Sequence, residues 1–345
     1  MDPSEQLRIG ISMPTSAIVS EVDFDANGKQ QGYLRVPHSV HRSAYGWIPV
    51  PVTIIQNNVG PTLVITAGVH GDEYEGQIAV STLARSLNAE DIHGRLILLP
   101  MLNFPAAEAG MRTSPIDHGN LNRLFPGSPA GTPSEMLAHW YEDVLLPMAD
   151  YAVDLHSGGT SLEYPATLLR GPAHSPEEDA GLTVLQDAFD LPYTWQFTGG
   201  GGTGSTARTA MGAANRNGVI NVMAELGGGA RVTPDILSRT SRGLQRILGA
   251  LGMITDYVPD PALGSRVLNV KGSVYCYEPG VFEPVKEIAE DVAEGETLAL
   301  IHHPETPGRA ADVVVSPYTG MILARRAMAH AVRGDALFQI ASDAA

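Results

Sequence analysis

Residues 62–73 read Thr62-Leu63-Val64-Ile65-Thr66-Ala67-Gly68-Val69-His70-Gly71-Asp72-Glu73, and the reading of the fold turns on them. The first six are apolar or β-branched and lack the strict polar alternation of a strand with one wet face, which predicts a strand covered on both sides. Gly68 breaks the run, and a helix is predicted over residues 75–87. His70 and Glu73 then fall in the turn at a strand's carboxyl end, where open α/β sheets form their binding crevices.

The same texture recurs along the chain. Apolar runs at 95–100, 151–156 and 219–225 alternate with helical patterns at 134–148, 176–189 and 235–251. Such alternation predicts an α/β fold: a mixed, mostly parallel sheet flanked by helices, assigned to residues 56–258. Ahead of it, residues 1–55 read as a β-rich N-terminal leader with strands at 8–13, 17–23, 32–36 and 48–55 and a hairpin signal at Ala26-Asn27-Gly28. Residues 259–345 read as a C-terminal β domain. Two of its stretches look alike, one running from Phe282-Glu283-Pro284-Val285 to Gly295 and one from Ser316-Pro317-Tyr318-Thr319-Gly320 to Gly334. This pattern resembles the barrel-sandwich module of biotinyl and lipoyl carriers. The hairpin between the halves, His302-His303-Pro304-Glu305-Thr306-Pro307, has no lysine to modify, so the resemblance implies a structural module and not a swinging arm.

Composition narrows the partners. Across 345 residues, 43% are hydrophobic and 17% charged, which calls for a packed core and not a disordered chain. Lys and Arg number 22 against 38 Asp and Glu, a formal charge of −16 that repels phosphate backbones and anionic lipid, so neither nucleic acid nor membrane is expected as partner. The single cysteine, Cys276, excludes an internal disulfide and disfavours a thiolate metal site. No run of eighteen apolar residues occurs, and Met1-Asp2-Pro3-Ser4-Glu5-Gln6 lacks a basic segment followed by an apolar one, so a cytoplasmic protein is expected.

Four segments carry chemistry. A histidine nitrogen and a glutamate oxygen suit Zn²⁺, and His70 with Glu73 can reach one ion from a single turn; the alternative is an acidic helix start with an incidental histidine. His156 closes the apolar strand 151–156 and offers a third donor, making the His₂Glu set of a catalytic zinc site. Asp154 shares its strand face, either supporting a ligand or serving some other buried donor. Glu225 ends another apolar strand before three glycines, where a carboxylate is costly unless it has a task or a partner; it suits a base that takes a proton from water and hands it to a leaving amine, or else a helix cap or ion pair. Arg112 and Asn122-Arg123 lie in one long loop, and guanidinium groups there can clamp a carboxylate or polarise a carbonyl.

In this order, His70-Gly71-Asp72-Glu73, Asn122-Arg123, Asp154-Leu155-His156 and Glu225 resemble the succinylglutamate desuccinylase and aspartoacylase family of zinc-carboxypeptidase-like hydrolases. The resemblance spans about residues 60–255. It implies His70, Glu73 and His156 as ligands of one zinc ion, Glu225 as the base, Arg112 as the carbonyl-polarising arginine, and Asn122 with Arg123 as the holders of the substrate carboxylate. The stretch from Arg112 to Asn122, with Pro115, Asp117, His118 and Gly119, is longer than in the aspartoacylases. Leu145-Leu146-Pro147-Met148-Ala149-Asp150 and Ser161-Leu162-Glu163-Tyr164 look most like the branch that deacetylates N-acetyl-2,4-diaminobutyrate in ectoine breakdown.

The expected function is therefore a zinc-dependent amidohydrolase acting on a small N-acyl amino acid. Rival readings are a desuccinylase or aspartoacylase, which needs a second cationic group for an extra carboxylate, a metallocarboxypeptidase, and a dead hydrolase fold used as sensor or scaffold. A homo-oligomer stays open. His118 and Glu163 are either contacts for a substrate amine or solvated groups; residues 199–205, rich in glycine, read as an edge of the pocket; Tyr275, Tyr277 and Tyr318 receive no role; His302-His303 reads as an incidental metal binder and Cys276 as a buried strand residue.

Overall fold

All six residues of the strand Thr62–Ala67 are buried in the computed structural model, which describes residues 16–199, 206–254 and 257–344. The reason is visible in its neighbours. Thr62–Ala67 lies between Gly94–Leu99 and Tyr151–His156, parallel to both, and Tyr151–His156 is parallel in turn to Ile220–Glu225. Leu63, Ile65, Ala67, Val153 and Leu155 point to one apolar layer, covered by the helices Tyr74–Ser86, Pro176–Phe189 and Pro234–Ala250. Val64, Ile97 and Ala152 point to the other, against Pro133–Trp140 and Ala210–Arg216. Two covered faces explain why the run needs no polar alternation.

The sheet extends well beyond this centre. On one side Trp47–Asn57 pairs antiparallel with Gly94–Leu99, and Gly28–Pro37 and Val19–Ser20 follow, so the strand Trp47–Asn57 crosses the expected division at 55. On the other, Thr167–Arg170 runs antiparallel to Ile220–Glu225, then Tyr193–Gln196, Arg266–Tyr275, Ala336–Asp343 and Gly320–Arg326 continue the sheet. Parallel pairing dominates the centre and antiparallel pairing the flanks. A second sheet of four strands, Gly280–Pro284, Thr297–His302, Asp312–Val315 and His330–Ala331, packs over the C-terminal end of the first through Phe282, Leu298, Ile301, Ile322, Phe338 and Ile340. Among the described residues these are two open sheets and no closed barrel. The expected strand at 8–13 and most of the glycine-rich stretch 199–205 lie outside the described residues. No described helix is long and apolar enough to cross a membrane.

Elements end where their residues dictate. Pro176 at the first turn and Ser175, whose hydroxyl accepts from the Glu178 N–H, start the helix Pro176–Phe189, and Asp190 closes it in the left-handed region. The expected single helix at 134–148 is instead Pro133–Trp140 followed by wider and tighter turns, with Pro147 unable to donate to the turn before it. A close approach fixes the turn that carries His70. The Gly71 N–H donates to the Met111 carbonyl at 2.8 Å, and a methyl group at Gly71 would sit 1.9 Å from the Ala106 oxygen. Gly71→Ala is expected to lower the free energy of chemical unfolding by about 1–3 kcal/mol or more through overpacking. An unchanged denaturation midpoint would contradict this contact.

Candidate active site

The period of two along each strand sets the site. Val153 and Leu155 are spent on the helix-covered layer, so Asp154 and His156 face the opposite side, and Glu225 is the cross-strand partner of His156. The turn after Thr62–Ala67 delivers His70 and Glu73 to the same spot. All three donors are buried, and one ligand atom from each lies within 4.8 Å of the others.

Tautomers decide what this cluster can hold. His156 Nε2 lies 2.9 Å from Asp154 Oδ2, which is itself fixed by the Thr66 hydroxyl donating to Oδ1 at 2.7 Å. His70 Nε2 lies 3.0 Å from Asn120 Oδ1. Both Nε2 atoms face acceptors and so carry the protons, leaving the Nδ1 lone pairs of both rings turned inward. Each Nδ1 is 2.8 Å from a Glu73 oxygen, His70 from Oε1 and His156 from Oε2. Two lone pairs against one carboxylate repel unless a proton or a cation lies among them. Burial lowers the pKa of His70, favouring its neutral form. Burial works against charge on His156 too, but Asp154 and then Glu73 outweigh it and hold that ring well above its ordinary value. Burial likewise works to raise the Glu73 carboxyl, yet the His70 and His156 rings hold it well below the usual carboxylate range. The donor chemistry fits a divalent cation, and imidazoles whose far nitrogens are tied to an amide oxygen and a carboxylate are set up as ligands.

Around this cluster a cavity of about 360 Å³ collects every residue the sequence singled out for the reaction: His70, Glu73, Arg112, Asn122, Arg123, His156 and Glu225. The longer loop is tied down at both ends. Arg112 follows Met111, which holds Gly71, and its guanidinium approaches Glu73 Oε1 and His70 Nδ1 at 3.4 Å. Asp117 accepts from the Ser134 N–H and hydroxyl, fastening the insertion to the helix Pro133–Trp140. Asn122 Oδ1 accepts from the Ala210 N–H at 2.9 Å, which leaves its amide N–H₂ for a ligand, and the Arg123 guanidinium donates to the Asn122 carbonyl. Burial and the neighbouring Arg112 lower the Arg123 pKa.

Glu225 Oε2 is shut from solvent with no hydrogen-bond partner among the described residues. Burial, then the Glu73 carboxylate, push its pKa up to about 8. Such an orphaned acceptor marks a place where a water or a substrate group belongs.

Several participants escaped the sequence reading. Asn120 lies inside the insertion, and nothing local announces that its side chain reaches His70. Asp72 accepts from the Thr160 N–H at 2.7 Å and thereby pins the turn after His156. Tyr164, its phenol pushed well above its ordinary value by burial and by Glu225, and Gln339 line the cavity and share a hydrogen bond of 3.3 Å. Of the three tyrosines without a role, Tyr275 lines the cavity, Tyr277 is exposed and Tyr318 packs in the C-terminal core. His302 and His303 are paired with Glu283 and Asp312, and the described residues hold no second cluster of three potential ligands. Cys276 is buried just past the strand Arg266–Tyr275, its thiol donating to the Glu278 carbonyl.

Residues 59–251 match the catalytic domain of the succinylglutamate desuccinylase/aspartoacylase family. The N-alpha-acetyl-L-2,4-diaminobutyric acid deacetylase of Halomonas elongata is 36% identical over 331 residues, 94% of this chain and 95% of that protein. Among solved structures, a succinylglutamate desuccinylase/aspartoacylase from Rhodobacter sphaeroides matches with a TM-score of 0.89 at 35% identity over 95% of this chain and 100% of its own. The product-bound ectoine utilization protein EutE (DoeB) from Ruegeria pomeroyi matches with a TM-score of 0.90 at 33% identity over 95% and 99%. The chain belongs to the succinylglutamate desuccinylase/aspartoacylase family, and is a hydrolase of the deacylase kind.

Metal analysis of the purified protein is expected to find about one divalent ion per chain, lost in His70→Ala and in His156→Ala. Asp154→Asn is expected to weaken retention against a chelator by about 10–100-fold, as removal of a partner behind a ligand does. Full metal content in both histidine variants would remove the site.

Proposed function

We propose that this chain is a zinc-dependent amidohydrolase that removes the acetyl group from N-acetyl-L-2,4-diaminobutyrate. The observation that carries the reading is one cavity that gathers a His₂Glu donor set, Glu225 with a buried oxygen that no described residue partners, and two guanidinium groups. The Halomonas elongata relative supplies the substrate assignment, and the Ruegeria pomeroyi neighbour, named for ectoine utilization, agrees with it in pathway.

His70 Nδ1, Glu73 and His156 Nδ1 would hold the zinc. When bound, it supplies Lewis acidity, bringing the pKa of a water towards about 7 and polarising the amide carbonyl. Glu225 takes a proton from the attacking water and returns it to the amine nitrogen as the C–N bond breaks, so acetate and a free amine leave with no net change in the protein. Arg112 donates towards the amide oxygen as negative charge gathers there. Arg123 and the Asn122 amide N–H₂ hold the α-carboxylate, a recognition suited to a planar guanidinium.

The rival readings fit the cavity less well. Arg112 and Arg123 are the cavity's lysine or arginine residues among those described, so with one at the reacting carbonyl and one on the α-carboxylate, no third is left for the extra carboxylate of a succinyl or aspartyl substrate. Ser273, Tyr275, Ala336, Phe338 and Gln339 close one side, leaving room for a small acyl amino acid rather than a peptide. A sensor built on a dead fold has no use for the full set of ligands and base. On this reading residues 56–258 carry the chemistry, residues 259–345 wall the cavity, the described residues of the leader 1–55 extend the sheet, and the cytoplasm, where a chain with one cysteine is at no disadvantage, is the compartment.

Turnover should be greatest on N-acetyl-L-2,4-diaminobutyrate in a panel of N-acetyl and N-succinyl amino acids. Glu225→Gln should cut kcat by about 10²–10⁴-fold with metal content unchanged. Preferred turnover of a succinyl or aspartyl substrate would reassign the activity, and undiminished turnover in Glu225→Gln would reassign the base.

A further inference from the structure

The cavity has two unlike ends. One holds the donor set, Glu225 and the two guanidiniums. The other is built from Tyr193–Gln196, Arg266–Tyr275 and Ala336–Asp343, which bring Trp195, Tyr275, Phe338 and Gln339 to its wall. Glu73 and Glu225 are the carboxylates lining the cavity among the described residues, and both are engaged at the first end. The two polar residues that the sequence offered as amine contacts are not there. Glu163 is paired with both Arg231 and Arg325 and lines a separate cavity with Glu75, and His118 lines neither. An ammonium group entering the far end therefore meets aromatic side chains and an amide, with no carboxylate beyond Glu73 and Glu225 among the described residues of the lining.

The geometry points to this end as the subsite for a cationic substrate side chain, with Trp195 as the residue that selects for it and Gln339 as its hydrogen-bond acceptor. The inference rests on the deacylase reading above and deepens it by saying what recognises the substrate's second nitrogen. An indole face attracts a cation through its quadrupole, most strongly where water is excluded. Trp195 is 6% exposed, and Phe197 meets it edge to face at 4.9 Å and 88°, which fixes the plane of the indole. Gln339 is 9% exposed; its Oε1 accepts from the Tyr164 hydroxyl and keeps a second lone pair for an ammonium N–H. A neutral subsite of this kind rejects a carboxylate, which would face the negative side of the rings.

The test compares kcat/KM of the metal-loaded full chain on N-acetyl-L-2,4-diaminobutyrate and on N-acetyl-L-norvaline, which puts a methyl where the first has its ammonium. The wild-type protein is expected to prefer the cation by at least about tenfold, and Trp195→Leu to lower that ratio by about tenfold, mainly through KM. Trp195→Phe, which keeps a ring face, should retain most of it, and Gln339→Met should lower it. Calorimetric binding of L-2,4-diaminobutyrate should weaken in step. If Trp195→Leu does not fold, Gln339→Met decides by the same ratio. No preference in the wild type, or an unchanged ratio in the variants that fold, overturns the subsite and leaves the deacylase reading standing. Turnover of neither substrate by the wild type overturns both.

Discussion

Two imidazole lone pairs and a carboxylate confined within a few ångströms of one another make the constraint on which the rest of this molecule depends. His70 and His156 each turn Nε2 to an acceptor outside the cluster, so both Nδ1 atoms converge on Glu73. In a buried place such an arrangement is costly unless a cation lies in the middle, because like partial charges are screened there far less than in water. The protein has invested in holding it. Thr66 fixes Asp154, Asp154 fixes His156, and Asn120 fixes His70 from a loop that is itself fastened to a helix by Asp117.

The fold serves that cluster in an economical way. Parallel strands bring three carboxyl ends together, and alternation along each strand separates the residues that make the core from those that make the site. Val222 and Ala224 are core while Met223 and Glu225 face the cavity; Val153 and Leu155 are core while His156 faces it with Asp154 bonded behind it. Strands further along the same sheet, Tyr193–Gln196, Arg266–Tyr275 and Ala336–Asp343, then wall the cavity with Trp195, Tyr275 and Phe338. The cavity is thus lined by different parts of the chain: the central turns, the long loop, and the strands Tyr193–Gln196, Arg266–Tyr275 and Ala336–Asp343.

What the sequence made legible follows from the same physics. The central strands and the helices at 176–189 and 234–250 were readable because burial on two faces and amphipathic spacing leave a periodic imprint, and the helix starts carry Pro and a capping hydroxyl. His156 and Glu225 were readable because each ends an apolar strand shortly before glycines, and His70 and Glu73 because they share the turn that follows one. Asn120, Asp72, Tyr164 and Gln339 were not, since their partners lie far along the chain and nothing in the local pattern encodes a contact such as that between Tyr164 and Gln339, 175 residues apart. The leader looked like a separate piece because its strands alternate, as antiparallel flanking strands do; only pairing of Trp47–Asn57 with Gly94–Leu99 joins it to the main sheet.

The central claim is that one cation sits among three side chains contributed by two separate turns. A crystal of the purified protein measured across the zinc absorption edge tests it most directly. The account predicts a single anomalous peak about 2.0–2.2 Å from His70 Nδ1, a Glu73 oxygen and His156 Nδ1 together, the distances zinc keeps to nitrogen and carboxylate oxygen. A fully occupied peak bound elsewhere, or three side chains joined only through protons with no peak between them in zinc-saturated crystals, would contradict it.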